Sequence, residues 1–195
     1  HRNTRRQRQM CIRDRCKSYA AARSNRRKYY RAVGFSLSHS KKIAVLGAGA
    51  WGTALAIHLA KVGHQVCLWT HRQEQAEELN QLRENRRYLP DIQLPDGISA
   101  SSNMQAAVAG VDAVLVVVPS QAFRDSMIML KGLLDPSKVN VAWATKGFEP
   151  VTQKLLHEVA FEVLGQDAKL TVLSGPTFAK EVAMGLPTAM VSASN

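Results

Sequence analysis

Residues 42–61 read KIAVLGAGAWGTALAIHLAK, and the order of residue types in this stretch decides the fold. The apolar run 43–46 leads into Gly47, Ala48, Gly49, Ala50, Trp51 and Gly52, and an apolar pattern of helical period follows at once. Strand, glycine turn and helix in that order form the unit that cradles a dinucleotide pyrophosphate. Gly47 can make the tight turn, Gly49 lets backbone approach phosphate with no Cβ in the way, and Gly52 lets the helix pack close to the strand. The helix start adds unpaired N–H groups and partial positive charge. An ordinary βα turn is the alternative, since glycine-rich turns are common, but both flanks here suit the dinucleotide reading.

Beyond residue 61, short apolar runs alternate with helical patterns. Strands are expected at 42–47, 65–69, 112–118, 139–144 and 169–173, with a last one near 187–194. Helices are expected at 51–62, 73–84, 103–108, 120–132, 150–164 and 177–184. The run DAVLVVV at 112–118 lacks polar alternation, as a strand covered on both faces does. The alternation predicts an α/β fold, a Rossmann-like doubly wound parallel sheet. Residues 85–97 are expected to form one long irregular connection beside the ligand.

The 195 residues carry a net charge of +11, and its placement argues against a polyanionic partner. Residues 1–40 hold twelve Lys/Arg and one acid, Asp14, whereas residues 41–195 hold fourteen of each sign and balance. The first forty residues are therefore expected to be a basic leader, disordered or not native to the protein, with an organellar transit peptide or a nucleic-acid-binding arm as the sharper alternatives. Residues 41–195 are expected to be a dinucleotide-binding domain, and the chain a fragment at both ends. Cys11 and Cys16 fall in the leader and Cys67 in an expected buried strand, so neither a disulfide framework nor a metal-binding pattern is available. No apolar run reaches the length of a membrane span. The default reading is cytoplasmic, with no nucleic-acid or membrane partner.

In an open parallel sheet the ligand sits at the C-terminal ends of the strands. The second strand ends Leu68, Trp69, Thr70, His71, Arg72, with no acid for a ribose 2′-hydroxyl before Glu74. His71 and Arg72 instead suit a 2′-phosphate and favour NADP over NAD, while the plain alternative makes Arg72 a solvated residue opening the next helix. Pro119 ends the next strand, and Ser120 is placed to cap the helix after it. Lys146 in Thr145-Lys146-Gly147 lies at a strand end, where it either meets a polarised oxygen or is merely solvated. Ser174, Gly175 and Thr177 form a polar cluster that spacing alone would read as a capped turn.

Taken together, GAGAWGTALA (47–56), LWTHR (68–72), RYLPDIQLP (87–95), VVVPSQAFR (116–124), WATKGFE (143–149) and LSGPTFAKEVAMGLPTA (173–189) resemble the bacterial type of NAD(P)-dependent glycerol-3-phosphate dehydrogenase. The leader matches nothing in that family. The resemblance implies reversible reduction of dihydroxyacetone phosphate to sn-glycerol 3-phosphate for glycerophospholipid synthesis. It implies cofactor contacts from Ala50, Trp51, His71, Lys146 and Ala179, and substrate contacts from Lys146, Gly175 and Thr177. Arg72 stands at a variable position of the family and rests on the charge argument. The family's general acid/base is a second lysine in a following helical domain that this chain lacks, so the fragment is expected to bind NAD(P)H and turn over little substrate. A homodimer of the full-length protein is left open. Two other readings compete: a hydroxyacid or ketopantoate-type reductase, which should lack the YLP…LP and SGPTFA elements, and a non-catalytic NAD(P)-binding module.

Overall fold

The computed structural model describes residues 40–195; the expectations for the leader, with Cys11 and Cys16, lie outside the described residues. The strand–turn–helix unit is β1 (Lys42–Leu46), the glycine turn, and α1 (Ala50–Lys61). Then come β2 (Gln65–Trp69), α2 (Gln73–Leu82), a short hairpin of β3 (Glu84–Asn85) and β4 (Leu89–Gln93), β5 (Ile98–Ser101) and α3 (Met104–Val108). The second half runs β6 (Ala113–Val116), α4 (Phe123–Leu133), β7 (Asn140–Trp143), α5 (Leu156–Leu164), β8 (Leu170–Ser174), α6 (Ala179–Met184) and β9 (Val191–Ser194).

Seven strands form one sheet in the order β5-β2-β1-β6-β7-β8-β9. Every pairing in it is parallel except β8 with β9. The chain winds outward from β1 to β2 and β5, then returns across β1 to start the other half at β6. That reversal opens a crevice between the C-terminal ends of β1 and β6, the switch point at which such sheets take ligands.

Period-two alternation in the strands sorts the core onto the two faces. Ile43 and Val45 of β1, with Leu115 of β6, pack beneath α1 and α2 against Leu55, Ile57, Leu68 and Leu79. Ala44 and Leu46, with Val114 and Val116, face the other way, toward Phe123, Met127 and Leu130 of α4 and Val159 of α5. Burying each Val, Leu or Ile side chain is worth about 1.5–3 kcal/mol, so covering both faces of these two strands makes them the rigid floor of the crevice.

Four expectations need correction. The connection at 85–97 is not wholly irregular, since β3 and β4 pair antiparallel there; just beyond it, β5 is an edge strand that the apolar pattern does not reveal. Its sequence is ISAS, and only Ile98 is buried, because an edge strand has one neighbour to satisfy. The helix expected from 150 begins at Leu156. The preceding residues form a loop closed by a bridge between Phe148 and Leu155, and the Glu158 carboxylate accepts the Leu155 N–H at 2.7 Å to open the helix. Ser120 caps nothing: residues Ser120–Ala122 form a 3-10 turn with no side-chain cap, and α4 starts at Phe123. The last strand covers Val191–Ser194 and runs antiparallel, so the sheet is mostly rather than wholly parallel.

Candidate functional site

A groove of about 870 Å³ lies at the switch point. Its walls include Gly47, Gly49, Ala50, Trp51, Gly52, His71, Lys146, Thr177 and Ala179. Arg72 and Gly175 are not among its lining residues. Arg72 lies instead in a smaller hollow with Glu78, Glu84 and Arg87, and its Nε donates to His71 Nε2 at 3.3 Å. Gly175 packs against the chain that follows α6, where a Cβ would stand 2.5 Å from the Ala189 carbonyl oxygen.

The glycine turn does three different things. Gly47 has φ +115°, and a Cβ there would meet the Val117 carbonyl oxygen at 2.6 Å, so the turn needs glycine both for its backbone and for its contact with β6. A Cβ on Gly52 would sit 1.8 Å from the Gly47 carbonyl oxygen, which makes glycine the condition for seating α1 against the turn. A Cβ on Gly49 would meet nothing within 4 Å. Gly49 is also the N-cap of α1, which has no side-chain cap and no acid in its first turn. The first N–H groups of α1 therefore keep their capacity for an anion, and no carboxylate there opposes one.

Two buried polar atoms beside this turn have no partner among the described residues: Trp51 Nε1 and Thr177 Oγ1. A buried donor or hydroxyl left unpaired costs about 1–3 kcal/mol, so both are places where a ligand atom would be accepted. Thr177 is held at the start of α6, which packs on α1; Lys61 Nζ donates to the Ala183 carbonyl at 2.7 Å and ties the two helices.

On the far side, Lys146 is exposed at the end of β7 and belongs to a loop fixed at both ends. Thr145 Oγ1 donates to the Val118 carbonyl at 2.9 Å, joining the ends of β7 and β6. Glu149, only 6% exposed, receives Arg124 Nε at 2.5 Å on one oxygen and Arg124 Nη2 at 2.9 Å on the other, and the Thr152 hydroxyl donates to it too. Arg124 and Lys154 both donate to Glu162, at 3.2 and 2.8 Å. The hydrogen bonds from Arg124 and Thr152 hold the Glu149 carboxyl down to about 2, and the same pairing pushes Arg124 up. The guanidinium at 124 is thus committed to the loop carrying Lys146.

Sequence reasoning missed the polar residues around the glycine turn: Thr53 and Asn85 behind it, and Thr70 and Gln75 at the edge of the groove. Their only signal is misfit, as with Thr53, a hydroxyl inside an apolar helical run that is fully buried. It also missed Tyr88 and Phe178, which line the groove. The arrangement as a whole can hold an extended anionic ligand along the glycine turn, with Lys146 and Thr177 beside it.

Known proteins are similar to this chain in fold and sequence. A glycerol-3-phosphate dehydrogenase [NAD(P)+] of Hydrogenovibrio crunogenus is 57% identical over 154 residues, which cover 78% of this chain and 45% of that protein. A crystal structure of glycerol-3-phosphate dehydrogenase from Coxiella burnetii matches with TM-score 0.75 and 44% identity, over 80% of this chain and 47% of that one. The Saccharomyces cerevisiae glycerol-3-phosphate dehydrogenase matches with TM-score 0.70 and 29% identity, over 80% and 48%. The chain thus spans about half the length of the relatives it matches. Residues 42–195 fit the profile of the family described as NAD-dependent glycerol-3-phosphate dehydrogenase N-terminus, and the chain belongs to that family.

Proposed function

We propose that this chain holds NAD or NADP in the switch-point groove, and that the complete protein is a cytoplasmic NAD(P)-dependent glycerol-3-phosphate dehydrogenase serving glycerophospholipid synthesis. The observation that carries this is a pair of buried, unpartnered polar atoms, Trp51 Nε1 and Thr177 Oγ1, beside an uncapped helix start in one groove. The residues present fit a dinucleotide. Gly49 leaves open the space a Cβ would fill, Ala50 and Trp51 present the first N–H groups of α1, and Ala179 completes the wall on the α6 side.

The Arg72 guanidinium, bonded to His71 in the groove lining, is the positive group that favours the 2′-phosphate of NADP. When bound, the nicotinamide supplies a hydride to the carbonyl carbon of dihydroxyacetone phosphate or takes one from the secondary carbon of glycerol 3-phosphate. In this reading Lys146 offers its ammonium to the substrate oxygen or phosphate and to the cofactor, and the Thr177 hydroxyl and the Gly175 backbone orient the substrate. The proton that accompanies the hydride needs a separate acid/base within hydrogen-bond reach. We assign that role to a lysine in the part of the complete protein that these residues do not cover, and keep Lys146 as a binding group.

The test is a fluorescence titration of the chain with NADPH and NADH, read from Trp51 and Trp69 in the groove lining. Saturable quenching that survives physiological salt is expected. No quenching up to millimolar nucleotide overturns the reading.

A further inference from the structure

The carbonyl oxygen of Ala48, inside the glycine turn, accepts two side-chain amides. Gln75 Nε2 reaches it from α2 at 2.9 Å, and Asn85 Nδ2 reaches it from β3 at 2.9 Å. A carbonyl oxygen has two lone pairs, and both are used here. The amides are themselves held. Gln75 Oε1 accepts the Thr70 hydroxyl at 2.6 Å, Asn85 Nδ2 also donates to Thr53 Oγ1 at 2.7 Å, and Asn85 Oδ1 accepts the Tyr88 N–H at 3.3 Å. Thr53, Thr70 and Asn85 are 0, 2 and 3% exposed. Four polar side chains are therefore gathered around one peptide group, three of them buried and two, Thr70 and Gln75, reaching the groove lining, and none is used by the chemistry proposed above.

A trans peptide is planar, and its N–H points opposite to its C=O. Anchoring the Ala48 carbonyl to Gln75 and Asn85 therefore fixes the direction of the Gly49 N–H, at the N-cap of α1, on the other side of the plane. Glycine at 49 makes this anchoring necessary. Without a Cβ, the residue has more backbone freedom than any other, and rotation of the 48–49 peptide would turn an oxygen rather than a proton toward an anion.

We propose that Gln75 and Asn85 are positioning residues that hold the 48–49 peptide plane, so that the N–H groups opening α1 converge on the pyrophosphate of the bound dinucleotide. The proposal rests on the dinucleotide reading and adds its supporting structure. It also explains the hairpin of β3 and β4: Asn85 ties the hairpin to the turn, and Tyr88, three residues on, reaches the groove wall. Ligand capture and placement of Tyr88 are then coupled through one side chain.

The experiment compares the 195-residue wild-type chain with Gln75→Met, Gln75→Glu and Asn85→Ala, measuring affinities for NADPH, ADP-ribose and adenosine 2′-phosphate by competition. Gln75→Met preserves side-chain length at a half-buried site and is expected to fold. It should weaken NADPH and ADP-ribose together, by about 3- to 10-fold for one lost amide bond, and leave adenosine 2′-phosphate within about twofold. Gln75→Glu should lose as much at neutral pH, where a carboxylate has no proton to donate, and recover as pH falls toward the carboxyl range. Asn85→Ala should show the same selectivity with a lower melting temperature; if it does not fold, Gln75→Met decides alone. Unchanged affinities, an equal loss for all three ligands, or a Gln75→Glu affinity indifferent to pH would each overturn the proposal. A wild-type chain that binds none of the three overturns the dinucleotide reading itself, a result distinct from wild-type binding with unaffected variants.

Discussion

Gly49 and Gly52 stand three residues apart, yet alanine at each should fail in a different way. At Gly52 the new Cβ would be 1.8 Å from the Gly47 carbonyl oxygen, about 1.6 Å short of the 3.4 Å at which ordinary contact begins. The obstacle is backbone on a turn that also abuts Val117, so α1 must move away from β1 and β6 by a comparable distance. Overpacking of that size costs about 3 kcal/mol or more, which for a chain of this length lowers Tm by about 6–12 °C. At Gly49 the backbone is extended, with φ −75° and ψ −177°, a conformation alanine adopts freely, and its Cβ meets nothing within 4 Å. Loss of unfolded-state entropy and a poorer N-cap offset one another, leaving stability within about 1 kcal/mol of wild type. That methyl would stand where the pyrophosphate must approach. Displacing the anion from even one backbone N–H forfeits about 1.5–3 kcal/mol, or about 10- to 100-fold in NADPH affinity. Thermal unfolding and tryptophan-fluorescence titration on both variants decide the matter. A folded Gly49→Ala chain that binds NADPH like wild type, or a Gly52→Ala chain with an unchanged Tm, would refute the division of labour argued for this turn.

The remaining predictions concern the rims of the groove. Arg72→Asp should lower the NADPH-over-NADH preference by about tenfold, through a carboxylate set against the 2′-phosphate; equal ratios of dissociation constants before and after the change would remove Arg72 from the cofactor site. The second concerns acid. Glu149 is held at about 2 against an ordinary 4.5, so its contribution is complete above about 4.5 and is lost as pH falls from there toward 2. Glu162, lowered by Arg124 and Lys154, acts in the same direction. Glu149→Gln should therefore have a lower Tm at neutral pH and a shallower decline across that acid window. Parallel melting profiles for the two proteins would show that the Arg124–Glu149 pairing does not stabilise the Lys146 loop.

How far the fold was legible depends on how each element is held. β1 and β6, at the centre of the sheet, are buried along nearly their whole length, and such burial leaves an uninterrupted apolar run, AVLVVV at 113–118. The edge strand β5, with one neighbour and one buried residue in four, leaves no such run. Helix starts fared worse where side chains bond to side chains. Nothing local shows that Glu149 turns back to Arg124, 25 residues earlier, and that link shapes the loop before α5. The site divides similarly. Glycines declare themselves by type and spacing, and the structure brings Gly47, Gly49 and Gly52 to the groove. Gln75 and Asn85 reach the same turn from 27 and 37 residues away, over a distance no short motif spans.

Those long-range bonds bear on why this glycine turn differs from any other βα turn. Gly47 and Gly52 are accounted for by close approach alone: backbone oxygens stand where their Cβ atoms would be. Such constraints would apply to any tightly packed turn, ligand or none. Among the described residues, Gly49 has no neighbour to explain it, Trp51 Nε1 and Thr177 Oγ1 have no partner, and the start of α1 has no side-chain cap. Beside that unsatisfied surface, the Ala48 carbonyl, which rotation could bring round to repel an anion, is anchored by two amides. A turn built only for packing would gain nothing from open donors on one side and a saturated acceptor on the other. The asymmetry across the 48–49 peptide, more than the glycine spacing, is what supports the proposal that this turn is an anion cradle.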